Sequence, residues 1–210
     1  GKDLENITRF RDMGVSYITL CHNGNNDICD SARGEAEWNG LSPFGKDVIR
    51  KMNELGILVD ISHAAESTFY DALETSAYPI IASHSSARAL CNHPRNLTDE
   101  QLKALAAQGG VVQVCLYKGF INEDAEKASL SDAIRHITHI VDLIGIHHVG
   151  IGSDFDGDGE LIGCRASNEL INITVRLIKE GYTENDIAKI WGGNLLRVMN
   201  KAQSASNNKI

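Results

Sequence analysis

Short apolar runs recur along the chain, and longer segments with hydrophobic residues at helical spacing separate them. The runs are continuous and mostly rich in β-branched residues, which is typical of strands buried on both faces of a parallel sheet. They cover residues 16–20, 58–61, 79–82, 111–115 and 149–152. The pattern therefore predicts five buried strands.

The intervening segments have helical periodicity and recognisable caps. They cover residues 43–55, 66–75, 98–109, 131–144, 168–180 and 183–201. Ser42 is a candidate N-cap and Gly56 a candidate C′ residue, while Thr98 and Gln101 have the spacing of a capping box. The regular alternation of strand and helix predicts an α/β fold with parallel strands, either a barrel or a doubly wound open sheet.

Composition narrows the class of protein. Hydrophobic residues make up 42% of the 210 residues and charged residues 23%, as in a globular domain. We expect one domain over residues 1–203 and a disordered polar tail over residues 204–210. The net charge of −8 without a basic run argues against nucleic acid as a partner. The sequence contains neither a membrane-spanning apolar run nor a Gly-rich nucleotide-binding motif.

The five cysteines do not form a recognisable metal or disulfide pattern. No pair has C-x-x-C spacing, and the number is odd, so a zinc knuckle or a disulfide scaffold is disfavoured. Cys115 lies in an apolar run, and we interpret it as a core residue. The chain begins at Gly1 without a signal-peptide pattern, and the sequence does not indicate a compartment.

Four of the five predicted strands end next to a histidine or an aspartate. These residues are His22, His63, His84 and Asp154. Since catalytic groups of parallel β/α folds lie at the carboxyl ends of the strands, we expect a metal or acid–base site there. The remaining histidines lack this placement and are predicted to be structural or solvated: His93, His136, His139, His147 and His148.

One segment imitates a calcium-binding loop. Residues 154–159 read D-F-D-G-D-G, but the twelfth loop position is Arg165, where a bidentate glutamate would be required. We interpret Asp156 and Asp158 as turn formers instead.

The strand-end motifs resemble the membrane dipeptidase (renal dipeptidase) family, peptidase family M19 of the amidohydrolase superfamily. The similar segments keep their order: GVSYITLCHNGN at residues 14–25, LVDISHA at 58–64, IASHSSA at 81–87, PRN at 94–96, VGIGSDFDG at 149–157 and GGNLLRV at 192–198. The resemblance implies a TIM-barrel (β/α)8 fold, two zinc ions and a dipeptide substrate, and it is compatible with a homodimer.

The resemblance also implies a role for each site residue. His63 and His84 match the two histidine ligands of one zinc. Asp154 matches the catalytic acid–base group, and His22 matches the residue that contacts the scissile carbonyl and its oxyanion. Arg95 matches the residue that binds the terminal carboxylate of the substrate, a task that suits a guanidinium fork. Phe120 aligns loosely with an aromatic hydroxyl of the family.

Some family features are missing from these 210 residues. The His-x-Asp pair of the second metal and the bridging glutamate would precede Gly1, and about five β/α units are present where a barrel has eight. We therefore expect the C-terminal part of an M19-type barrel, impaired as a zinc dipeptidase by itself. Two alternatives remain open: another metal-dependent amidohydrolase, of lactonase or deaminase type, and a degenerate interaction module.

Overall fold

The structure, a computed structural model, describes residues 2–207 and alternates strands with helices along this range. Its strands are β1 Tyr17–Thr19, β2 Leu58–Asp60, β3 Ile81–Ala82, β4 Val111–Cys115 and β5 Val149–Gly152. Its helices are α1 Glu5–Asp12, α2 Pro43–Glu54, α3 Glu66–Thr75, α4 Asp99–Gln108, α5 Lys118–Ile121, α6 Leu130–Ile144, α7 Ile171–Lys179, α8 Glu184–Ala188 and α9 Asn194–Asn207. All five predicted strands are present, and the α/β class is confirmed.

The described chain forms two compact units. The first contains residues 2–82, 107–110 and 196–207. Its strands are parallel in the order β1-β2-β3, and Thr19 lies opposite Asp60 in the β1–β2 register. Helix α2 packs on α3 and on β2. All three residues of β2 are buried, as the continuous apolar pattern predicts for an inner strand.

The second unit contains residues 83–106 and 111–195. Strands β4 and β5 are parallel, and Cys115 lies opposite Gly152 at their carboxyl ends. Helix α6 packs against both strands. Its core face carries Ile134, Ile137 and Ile140, all buried, at the spacing that the sequence predicts.

The predicted helix caps are confirmed. The Ser42 hydroxyl accepts a hydrogen bond from the backbone N–H of Gly45. Gly56 follows α2 with φ +68°, a conformation that favours glycine. Thr98 and Gln101 make both hydrogen bonds of the capping box at the start of α4. Local sequence therefore sets these helix ends.

The C-terminal helix differs from the predicted continuous segment 183–201. A π-helical turn, Lys189–Gly193, separates α8 from α9, and Gly192 leaves the helical region of backbone angles. Just beyond the break, the Asn194 side chain donates hydrogen bonds to the carbonyl oxygens of Ile146 and Val149. Tertiary contacts of this kind override a locally helical pattern.

The end of α9 overlaps the segment for which a disordered tail is predicted. The helix includes residues 204–207, and residues 208–210 lie outside the described part of the chain. Helix α1 and the short α5 have no counterpart among the predicted elements. None of the described helices combines the length and the apolar character that crossing a membrane requires.

Candidate active site

His22 and His63 lie close together at the carboxyl ends of β1 and β2. Thr19 and Asp60 are paired in the β1–β2 register. His22 lies three residues after Thr19, and His63 lies three residues after Asp60. The Thr19 hydroxyl donates to Oδ2 of the fully buried Asp60 over 2.7 Å. The two imidazole rings are 4.3 Å apart between centroids and tilted by 32°. The strand register thus brings together two of the predicted site residues.

The loop after β1 fixes the backbone around both histidines. The buried hydroxyl of Ser31 lies 2.7 Å from the carbonyl oxygen of His22 and 3.2 Å from that of His63. The backbone N–H of Ala32 donates to the same His63 carbonyl over 2.7 Å. The Oδ1 atom of Asn23 lies 3.1 Å from Nδ1 of His63. These contacts hold His63, which is 8% exposed, with its backbone in the left-handed region at φ +71°.

The second unit carries His84, Arg95 and Asp154. The Ser83 hydroxyl lies 2.7 Å from Nδ1 of His84. A methyl group on Gly152 would overlap the carbonyl oxygen of Ser83, so only glycine allows the end of β5 to approach so closely. Asp154 follows Gly152 by two positions. The close approach therefore places the segment that carries Asp154 beside the Ser83–His84 backbone.

Arg95 is a buried cation, only 4% exposed. Its Nη2 donates to the carbonyl oxygen of His84 over 3.2 Å. Its guanidinium carbon lies 5.0 Å from the centroid of the Phe120 ring, within the range of a cation–π contact. The protein encloses this side chain.

Cys115 contacts Asp154 directly. Its thiol donates to Oδ2 of the carboxylate over a sulfur–oxygen distance of 3.6 Å. Burial raises the pKa of the Cys115 thiol to about 12, so the sulfur keeps its proton at neutral pH. The interpretation of Cys115 as a core residue is confirmed by its burial. It is incomplete, however, because the thiol also contacts a predicted catalytic group.

Several contacts around these residues have no signal in the sequence. Asn23 and Ser31 reach His63 across a loop, which no local pattern indicates. His93 accepts a hydrogen bond from the Arg95 backbone, and its ring lies 4.6 Å from that of Phe120. His136 is buried and makes structural hydrogen bonds, as predicted. His139 pairs with Asp99 over 2.8 Å.

The donor chemistry of His63 and His84 fits a metal, but the described ligand set is incomplete. In both residues an oxygen lies at Nδ1, as is usual for imidazoles that ligate through Nε2. A stable zinc site needs at least three protein ligands. Among residues 2–207, however, no group of three or more His, Cys, Asp or Glu side chains is placed to hold a metal ion.

Comparison with known families tests the family resemblance. The family model described as "Membrane dipeptidase (Peptidase family M19)" matches residues 1–209. The chain belongs to peptidase family M19. The predicted family resemblance is thereby confirmed, and the hydrolase class follows at the level of the family.

Relatives of this M19 chain are named dipeptidases and metallopeptidases. Dipeptidase tcpJ of Claviceps purpurea is 38% identical over 199 residues, which are 94% of this chain and 47% of that protein. The probable dipeptidase PvdM from Pseudomonas aeruginosa has a TM-score of 0.94 at 29% identity, covering 97% of this chain and 66% of that one.

A third relative was solved with a bound ligand. It is a metallo peptidase from Rhodobacter sphaeroides, liganded with a phosphinate mimic of the dipeptide L-Ala-D-Ala. Its TM-score is 0.90 at 27% identity, covering 96% of this chain and 60% of that one. The TIM-barrel type of fold, with a partial set of five strands in the described M19 chain, is consistent with these structures. The chain spans about half the length of the curated relatives it matches.

Proposed function

We propose that the protein hydrolyses dipeptides with the help of bound zinc, and that His63 and His84 each serve as a metal ligand. The match to the M19 family along residues 1–209 carries this proposal. The oxygen at Nδ1 of each imidazole supports the ligand roles. When bound, the metal supplies an activated water and polarises the scissile carbonyl.

Arg95 is proposed to bind the terminal carboxylate of the dipeptide. Its guanidinium is held in place by the His84 carbonyl and by the face of the Phe120 ring. A guanidinium binds a carboxylate through two parallel hydrogen bonds, and burial strengthens this charge-assisted contact. A fixed carboxylate anchor would restrict the enzyme to short substrates, because the scissile bond must lie one residue away from it.

Asp154 and His22 are proposed to act on the reacting atoms. Asp154 would take the proton of the attacking water and pass it to the leaving amine, as a positioned carboxylate does in general acid–base catalysis. The Cys115 thiol, which keeps its proton, orients one oxygen of that carboxylate. His22 has an exposed side chain and would donate a hydrogen bond to the developing oxyanion.

For the 210 residues alone, we propose little or no dipeptidase activity. The reason is the ligand count, because the part of the chain that the structure describes offers no set of three metal-binding side chains. A pair of histidines holds zinc weakly, since each missing ligand removes binding energy.

Substrate and metal assays on the full-length protein test the proposal. We expect zinc-dependent cleavage of dipeptides, and no cleavage of acylamino acids or lactones. Asp154→Asn should lower kcat by about 10²–10⁴-fold. Arg95→Lys should raise KM more than it lowers kcat, because the binding fork is lost while a charge remains.

Two results would overturn the proposal. Preferred cleavage of lactones or deamination would indicate another metal-dependent amidohydrolase. Zinc near zero per chain together with no hydrolysis would indicate a non-catalytic interaction module. The same assays on the 210 residues alone test the expected impairment, which robust zinc-dependent hydrolysis would contradict.

A further inference from the structure

We propose that Asn23 is a modification site, at which the Asn23-Gly24 pair deamidates spontaneously to aspartate and isoaspartate, whereas the Asn39-Gly40 pair is protected. Glycine follows asparagine at these two places in the sequence. The reaction needs only the loop after β1 and water, so it does not depend on the proposed function.

The reaction starts at the backbone nitrogen of Gly24. This nitrogen attacks Cγ of Asn23 and loses its proton, the bond from Cγ to the side-chain nitrogen breaks, and ammonia leaves. Water then opens the resulting succinimide ring at either carbonyl group. One opening gives aspartate, and the other gives isoaspartate, in which the main chain runs through the former side chain. The balance is an amide and water going to an acid and ammonia.

The Asn23-Gly24 pair is open to this attack. Both residues are exposed. Within the described part of the chain, the Gly24 N–H donates to no other group, so the nitrogen gives up no hydrogen bond when it attacks. A methyl group built on the Gly24 Cα would meet no atom within 4 Å, and glycine leaves the backbone free to rotate toward the side chain.

The Asn39-Gly40 pair has the opposite surroundings. The Gly40 N–H donates to Oδ2 of Asp30 over 3.2 Å, and Asp30 is only 2% exposed. Gly40 is buried, and a methyl group on its Cα would overlap the Asp71 carboxylate. Ring closure at Asn39 must therefore break a buried hydrogen bond to a carboxylate and shift a packed backbone.

Deamidation at Asn23 would alter the candidate active site. Asn23 follows His22 directly, and its Oδ1 lies 3.1 Å from Nδ1 of His63. Isoaspartate also adds a methylene group to the main chain. The nearby backbone is tied down, because the Ser31 hydroxyl lies 2.7 Å from the His22 carbonyl oxygen and the Ser31 N–H donates to Oδ1 of Asn25 over 2.9 Å. We expect the isoaspartate form to lose these two contacts.

Timed incubation of the full-length protein in neutral buffer, followed by tryptic peptide mapping, tests the proposal. Arg33 separates the two pairs into different peptides. We expect the Asn23 peptide to show the mass of an acid in place of an amide and to split into aspartate and isoaspartate forms. Asn39 should react about 100-fold more slowly, the usual penalty for a misplaced nucleophile. In denaturant the two rates should become similar, because glycine follows both asparagines.

Gly24→Ala is the matched variant, because the open space and a backbone outside the left-handed region accommodate a methyl group. The methyl group hinders the attacking nitrogen, so deamidation of Asn23 should slow by about 10-fold or more. Equal rates at Asn23 and Asn39 in the folded protein, or an unchanged rate in Gly24→Ala, would overturn the proposal. A rate difference that persists in denaturant would also overturn it, since the fold would then not be the cause.

Hydrogen exchange measures the effect on the loop. The Ser31 amide should exchange faster in the isoaspartate form than in the unreacted protein. Asn23→Asp carries the new charge without the longer main chain, and it should keep the Ser31 amide protected. Equal exchange in the isoaspartate form and the unreacted protein would contradict the expected loss of contacts.

Discussion

The thiol of Cys115 donates a hydrogen bond to the carboxylate of Asp154, with its sulfur 3.6 Å from Oδ2. Cys115 ends β4 and lies opposite Gly152, the last residue of the neighbouring parallel strand β5. Asp154 follows Gly152 by two positions. A residue of the hydrophobic core thus contacts a proposed catalytic group through its one polar hydrogen. The chemistry of this sulfur follows from its surroundings.

We expect Cys115 to resist alkylation in the folded protein. Only a thiolate reacts readily, and burial raises the pKa of this thiol to about 12, so almost none is ionised at neutral pH. Iodoacetamide labelling followed by peptide mass spectrometry measures this directly. Labelling of Cys115 in the native chain as fast as in denaturant would contradict the prediction.

The stability of the chain should fall in mild acid because of His136. His136 is 1% exposed; its Nδ1 accepts from the Ala87 backbone, and its Nε2 donates to the Ile121 carbonyl. Burial lowers the pKa of His136 from 6.5 to about 4 in the folded chain. As the pH falls, the unfolded chain therefore binds a proton at His136 before the folded chain does. The contribution of neutral His136 to the free energy of unfolding is complete above pH 6.5 and is lost as the pH falls to about 4.

The expected loss in the free energy of unfolding is about 3 kcal/mol, from roughly 1.4 kcal/mol per pKa unit. Urea unfolding at several pH values between these limits measures it. His136→Gln is the control, since it removes the titrating ring and should flatten the dependence over this range. An equally steep curve in the variant would assign the effect to other groups.

Ser31→Ala should lower the free energy of unfolding by about 1–2 kcal/mol, because it removes a buried hydroxyl that lies within hydrogen-bond distance of the carbonyl oxygens of His22 and His63. Ser16→Ala is the matched control. The Ser16 hydroxyl makes one exposed, local hydrogen bond to the Gly14 carbonyl, and its loss should change stability by less than about 0.5 kcal/mol. Equal effects of the two substitutions in urea unfolding would show that Ser31 does not hold the loop.

Thr19→Val should lower the free energy of unfolding by about 1–3 kcal/mol. The variant keeps the side-chain shape but removes a hydrogen-bond donor to the fully buried carboxylate of Asp60. Asp60→Asn should also destabilise, since an amide nitrogen replaces one accepting oxygen. A double-mutant cycle isolates the shared contact. Strictly additive effects of the two substitutions would mean that the Thr19–Asp60 hydrogen bond contributes nothing.

The sequence was most informative where structure depends on local patterns. Continuous apolar runs located all five strands of the described chain, and the caps at Ser42 and Thr98 were identified from residue type and spacing. The placement of His22 and His63 followed from the rule that parallel strands end at one edge. These features depend on residues close in sequence or on a general property of the fold.

The features that sequence could not predict depend on contacts between distant segments. Ser31 reaches the carbonyl of a residue 32 positions away, and the Cys115 thiol reaches across 39 positions to Asp154. The last helix breaks near Gly192, where Asn194 bonds instead to carbonyl groups before and within β5. No periodicity encodes such pairings, because each depends on where the fold brings a side chain.

At His63 and Asp154, the residue that would be best for stability differs from the residue that the proposed chemistry needs, because both have a left-handed backbone. Their φ angles are +71° and +56°, a region that costs most residues about 1–2 kcal/mol and glycine almost nothing. A selection for heat resistance alone would therefore favour glycine at both positions. Such a selection would yield a more durable protein without the imidazole and carboxylate on which the proposed hydrolysis depends, so directed evolution of this chain must score turnover together with melting temperature.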